Sequence, residues 1–184
     1  MKKITYKIEL LSDWHCGSGL SGGAGSNAMV IKDDRAIPFI PGKTMKGLLK
    51  EALLEICEVK GEAFEKNYSK LFEESYTNNR SEGLFFSNAI VKKEEADEIV
   101  SNNLQTFLYR NITSTAIEST GEAKVHSLRT IEVCMPINLE GFINGVEDDE
   151  ILKNAFKMIR HLGVNRNRGL GRCKIIITSN DIQP

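Results

Sequence analysis

Two stretches of this 184-residue chain carry helical spacing, and strand-like segments stand before, between and after them. The first segment, "KITYKIELLS", alternates Ile4, Tyr6, Ile8 and Leu10 with Lys3, Thr5, Lys7 and Glu9, the period of a half-buried strand. In "KTMKGLLKEALLEICE" (43–58), Met45, Leu48, Leu49, Ala52, Leu53 and Ile56 fall on one helix face. "EDDEILKNAFKMIRHLG" (147–163) does the same with Ile151, Leu152, Ala155, Phe156, Ile159 and Leu162. Its acidic start suits the helix dipole, and Gly163 marks its expected end. "CKIIIT" closes the chain as a strand. A strand–helix–strands–helix–strand order predicts an α+β fold: an antiparallel sheet covered by two main helices, a ferredoxin-like (RRM-like) plan. No internal boundary is visible, so residues 1–184 read as a single domain.

The connecting segments are less regular. "DWHCGSGLSGGAGSNA" (13–28) is a long glycine-rich loop, and "MVIKDDRAIPFIPG" (29–42) reads as a short hairpin turning at Asp33-Asp34. Val59 to Glu82 is polar, with one helical turn expected around "YSKLFEE". "GLFFSNAIV" (83–91) reads as a buried strand. After a charged segment comes a long hairpin with a Thr-Gly turn, ending in a core strand, "TIEVCMPINLEGFI" (130–143).

A formal net charge of -1 excludes a polycation, so any anionic partner must meet a local patch. Such a patch exists: from Arg160 to Asn180 there is no acidic residue, while Arg160, Arg166, Arg168, Arg172 and Lys174 are basic. Acidic residues gather instead in "KKEEADEI" (92–99) and "EDDE" (147–150). Cys16, Cys57, Cys134 and Cys173 form neither a CxxC pair nor a disulfide framework. The N-terminus lacks the apolar core of a signal peptide, and no apolar run approaches bilayer length. We expect a reducing cytoplasm and no membrane partner.

Two places suit a phosphate. In "GVNRNRGLGR" (163–172), Gly169 and Gly171 let backbone approach an anion, while Arg166, Arg168 and Arg172 offer charge-assisted bonds. A glycine-rich turn with merely solvated arginines fits the same residues. It is no nucleotide P-loop, because GxxxxGK[ST] is absent and the loop follows a helix. The second place is "IPGKTMKGLLKEALLE" (40–55), where Pro-Gly leads into a helix whose first turn carries Lys43 and Lys46. An ordinary helix with exposed lysines is the alternative. In a ferredoxin-like plan both loops can border one sheet edge and track several phosphates of one strand of RNA or DNA.

The ordered set of motifs resembles the RAMP superfamily, and within it the backbone subunit repeated along type III CRISPR effector complexes. The matching residues are His15, Gly17 and Gly19, then Pro41, Gly42, Lys46 and Gly47, then "RNRGLGR" before the last strand. "GLFFSNAIV" resembles the family's central strand, and "TAIESTGEAKVHSLRTIEV" its thumb hairpin, an insertion at about 109–136. The resemblance covers most of the chain, apart from Val59–Glu82 and Lys92–Tyr109. It implies a ribonucleoprotein of antiviral defence, in which copies stack head-to-tail on CRISPR RNA beside other RAMP subunits. His15, Lys43, Lys46, Arg129, Arg166, Arg168, Gly169, Gly171 and Arg172 are the expected RNA contacts. Val125 and Leu128 on the thumb are expected to wedge the guide–target RNA duplex.

Catalysis is where the match departs. The family's loop aspartate, associated with metal-dependent cutting of target RNA, aligns with Asn27. An amide neither takes a proton from a 2′-hydroxyl nor replaces a carboxylate toward a hard metal. Asn27 therefore predicts an inactive position, whether natural or engineered. Asp13, Asp33 and Asp34 are the nearby alternatives, the last two reading as turn residues. Binding needs no cofactor; cleavage would need Mg²⁺ or another divalent ion. Two other readings stay open: an endoribonuclease that processes CRISPR precursor RNA with His15 as acid or base, and a partner subunit that binds no RNA.

Overall fold

In the computed structural model, residues 2–21, 27–60, 84–146 and 149–182 are described. β1 (Lys2–Leu10) is the long strand that the alternation predicts, with Ile4, Tyr6, Ile8 and Leu10 buried. It lies between β7 (Asn138–Val146) and β8 (Cys173–Ile182), antiparallel to both. Beyond β7 lie β4 (Ala89–Ile90) and then β2 (Phe39–Ile40), giving the order β2-β4-β7-β1-β8, while β3 (Phe85–Phe86) also pairs with β7. β5 (Tyr109–Ser114) and β6 (Arg129–Cys134) form a separate two-stranded hairpin. Helices α1 (Gly42–Lys60) and α3 (Asp149–Met158) follow β2 and β7 and pack against each other. This is the expected antiparallel, helix-covered plan. The core fills with Tyr6, Ile8, Met45, Leu49, Leu53, Leu139, Ile143, Leu152 and Phe156, and the Tyr6 and Phe156 rings lie 5.3 Å apart.

Several boundaries differ from the sequence reading. "GLFFSNAIV" is two short strands separated by Ser87-Asn88, and Phe85 and Ile90 are exposed. The interruption has a use: Asn88 Oδ1 accepts from the Gly42 N–H at the start of α1 (3.0 Å), and Ser87 Oγ accepts from Phe142 N–H (2.8 Å). "TIEVCMPINLEGFI" breaks at Met135–Ile137, where Pro136 has no N–H to offer a ladder. β6 therefore pairs with β5, and β7 with β1. The charged segment contains α2 (Lys93–Ser101), a third helix that periodicity did not reveal. Helix α3 stops at Met158, before Gly163. The helical turn expected at "YSKLFEE" lies outside the described residues.

Candidate nucleic-acid interface

Strand register decides which loops meet. Glu9 faces Asn138 and Leu10 faces Cys173, so β1 ends where β7 and β8 begin. The loop after β1, the hairpin root before β7 and the glycine loop before β8 therefore share one end of the sheet. Backbone hydrogen bonds join two of them: Leu11 N–H to Arg172 O (2.7 Å), Gly171 N–H to Asp13 O (2.7 Å) and Val164 N–H to His15 O (2.9 Å).

The glycines of the closing loop divide into two kinds. Gly163 and Gly171 have φ of +83° and +69°, and a Cβ on either would run into the carbonyl oxygen of His15 or Leu162. Their absent side chains let backbone pack on backbone. Gly169 also has positive φ, yet open space surrounds it, so this glycine is the one past which a phosphate can approach. Between them, Arg166–Arg168 forms a 3-10 turn. Arg166 is held by Glu51 of α1 at 2.8 Å, and that hydrogen bond and charge raise its pKa further. Arg168 and Arg172 are exposed.

His15 is only 2% exposed, and its Nδ1 donates to the Glu132 carbonyl oxygen at 2.6 Å. That bond places a proton on Nδ1 and turns Nε2 toward Gly17. The ring is a packing element tying the first loop to β6. Lys43 and Lys46 do lie in the first turn of α1, Lys43 exposed and Lys46 half-buried. At that helix start, Asn88 Oδ1 accepts from the Gly42 N–H, so this donor is not open to an anion. The two lysines instead border a groove shared with Phe39 and Phe85.

The hairpin is rooted by Asp13, which the sequence offered only as a substitute carboxylate, and by side chains that sequence reasoning did not single out. Asp13, buried, forms an ion pair with Arg110 of β5, whose Nε donates at 2.7 Å. Trp14 and Cys134 exchange backbone hydrogen bonds of 2.9 and 2.8 Å, and the Trp14 indole N–H donates to Met135 O (3.2 Å). Glu132 accepts from the Val30 N–H (2.9 Å) and pairs with Lys32 (2.8 Å). The only sequence signal for Glu132 is an acid inside an apolar strand run. Asp13 and Arg110 lie 97 positions apart, so no local pattern links them.

Asn27 joins this root. Its N–H donates to Thr130 O (2.7 Å), and its Oδ1 accepts from Thr130 N–H (2.8 Å). Arg129 is exposed next to Thr130. Farther out, Gly121 makes the Thr-Gly turn with φ of +85°, while Val125 (76%) and Leu128 (68%) project into solvent.

The carboxylates around Asn27 do not suit a divalent ion. Asp13 is engaged by Arg110, and both Glu132 oxygens are taken. Asp33 Oδ1 accepts from the Arg35 and Ile37 N–H groups, which confirms its turn role. Among the described residues, no three His, Cys, Asp or Glu side chains gather in metal-binding geometry. Of the expected site residues, the fold brings His15, Asn27, Arg129, Arg166, Arg168, Gly169, Gly171 and Arg172 to one end. Val125 and Leu128 lie out along the hairpin, and Lys43 and Lys46 border their own groove.

Comparison with known proteins agrees with this architecture. A chain of the Type III-B Cmr-beta bound to cognate target RNA, solved by cryo-EM, superposes with a TM-score of 0.69 at 13% identity, covering 95% of this chain and 96% of that one. A chain of Type III-B Cmr-beta in the apo state gives a TM-score of 0.70 at 12% identity, covering 96% and 97%. No curated protein matches by sequence. The profile of the RAMP superfamily matches residues 7–174. With nearly its whole length inside that match, from β1 through the glycine loop, the chain belongs to the RAMP superfamily.

Proposed function

We propose that this chain is an RNA-binding backbone subunit of a type III CRISPR complex, working in the cytoplasm. Copies stack head-to-tail along CRISPR RNA; the glycine loop grips guide phosphates, and the hairpin wedges the duplex formed with target RNA. The carrying observation is the open backbone at Gly169, flanked by exposed Arg168 and Arg172 and braced from behind by Gly163 and Gly171. Such a surface reads phosphates and not bases, as a subunit facing variable guides requires. The folds of the Cmr-beta chains, one of them from an assembly bound to target RNA, support this reading.

Cleavage is not part of the proposal. Asn27 supplies no carboxylate, its neighbours are engaged, and His15 is buried with Nδ1 committed to a carbonyl. The test is RNA affinity against salt for the parent chain and for Arg168→Ala/Arg172→Ala. Losing two phosphate contacts should flatten the log–log salt slope by about 1.4 on single-stranded RNA, whatever its sequence. An unchanged slope and affinity would remove the glycine loop from the interface.

A further inference from the structure

Strand β8 ends the main sheet, and among the described residues its only strand partner is β1. At its first residue, Cys173 N–H donates to Arg160 O (2.8 Å), on the side away from β1. By the alternation of a strand, the N–H and C=O groups of Ile175 and Ile177 point the same way. No described backbone group meets them. An edge of this kind is a template for a further strand.

Beside this edge, between β8 and α3, runs a cleft of about 530 Å³. Phe156, Ile159, Ile175 and Ile177 give it an apolar lining, and its charged residues, Lys153, Lys157, Arg160 and Lys174, are all cationic. Lys157, Arg160 and Lys174 are exposed, and no carboxylate pairs with them among the described residues. Glu9, opposite Lys174 in register, is held by Lys7 at 3.2 Å. An open strand edge, a helix and an apolar cleft between them make a groove suited to an extended peptide.

We propose that the β8 edge and the α3–β8 cleft bind an extended segment of a different protein, one in which acidic and apolar residues alternate. Its backbone adds a strand on Ile175 and Ile177. Every second side chain lies on the helix-covered face and enters the cleft over Phe156 and Ile159. The intervening side chains lie on the other face, beside Lys174 and Ile176, where Lys174 selects a carboxylate. Lys157 and Arg160 at the rim repel a basic partner. RNA fits this groove poorly, since phosphates gain nothing from the apolar lining and cannot donate to the outward C=O groups. The chain's own acidic run at 94–98 is folded into α2 and is not available as a strand. This contact is independent of the RNA reading.

The experiment is fluorescence anisotropy of a labelled synthetic peptide, Glu-Val-Glu-Phe-Glu-Val-Glu with both ends blocked, titrated with the full chain. It is compared with the same peptide carrying lysine for every glutamate, and with two versions N-methylated on alternate amides. Lys157→Glu/Lys174→Glu is measured beside the parent, and Lys157→Gln/Lys174→Gln replaces it if circular dichroism shows a folding defect. The parent should bind the acidic peptide with a Kd below about 1 mM, and the lysine peptide at least about tenfold more weakly. The double variant should lose at least about tenfold in affinity for the acidic peptide. One N-methylated version should bind and the other should fail, because strand addition uses only every second amide. No binding of the acidic peptide, the same affinity for both N-methylated versions, or an unaffected double variant overturns the proposal. So does displacement of the peptide by a short single-stranded RNA that the double variant also binds more weakly, which would make the groove an RNA surface. Self-association of the parent that the peptide breaks up would assign the groove to a second copy and equally overturn it.

Discussion

The root and the tip of the β5–β6 hairpin belong to the same element and are built on opposite principles. At the root, Trp14 and Cys134 are fully buried, Asp13 meets Arg110, Glu132 holds Val30 and Lys32, and Tyr109 donates to Ala36 O. At the tip, Ile117, Val125 and Leu128 are exposed, and local bonds such as Thr115 with Ser127 (2.7 Å) keep its shape. The difference teaches that the hairpin is oriented by the body of the protein, while its apolar end is left for something outside it. The wedge role proposed above would need both properties: fixed direction and exposed apolar surface.

The sharpest way to break this contrast is Trp14→Ala, which empties the most buried large side chain of the root. It should cost about 3–5 kcal/mol, read as a large fall in the thermal midpoint. Next comes Glu132→Ala, expected to cost about 1–3 kcal/mol because the buried Val30 N–H loses its acceptor. Alkaline pH should act on the buried body and spare the tip. Burial pushes the thiols of Cys134 and Cys173 up to about 12, from an ordinary value of 9. A raised folded pKa means full stability below pH 9 and a loss as pH climbs toward 12. At pH 10 each thiol should cost about 1 kcal/mol, seen in melts at pH 8 and 10. The smallest effect on folding belongs to Val125→Ser/Leu128→Ser, within about 0.5 kcal/mol per site. That pair should nonetheless weaken capture of target RNA by guide-loaded protein in a filter-binding assay; equal capture would leave the tip without its wedge role.

The same contrast explains what could be read beforehand. β1, α1, the buried stripe of α3 and the Thr-Gly turn follow from local periodicity or a single turn residue, so the sequence displays them. The root consists of pairs far apart in the chain, Asp13 with Arg110 and Glu132 with Val30, and no window of residues contains both partners. Helix α2 escaped notice because Ala96 is its one fully buried residue, leaving hardly any apolar stripe to detect. The break between β6 and β7 was signalled by Pro136, but its meaning depends on two different pairing partners. Asn27 was found by resemblance, whereas its two bonds to Thr130 emerge only from folding. Asn27→Asp keeps an oxygen for Thr130 and adds the missing charge, so it separates the bracing role of that position from a chemical one.

Trp14 is the chain's single tryptophan, and it sits fully buried where β1 hands over to the hairpin root. All indole emission from this protein therefore comes from one spot. Undocking of the root would expose the ring to water and shift its fluorescence to longer wavelength, even with both main helices intact. The molecule thus carries its own optical gauge of hairpin attachment, readable without any label.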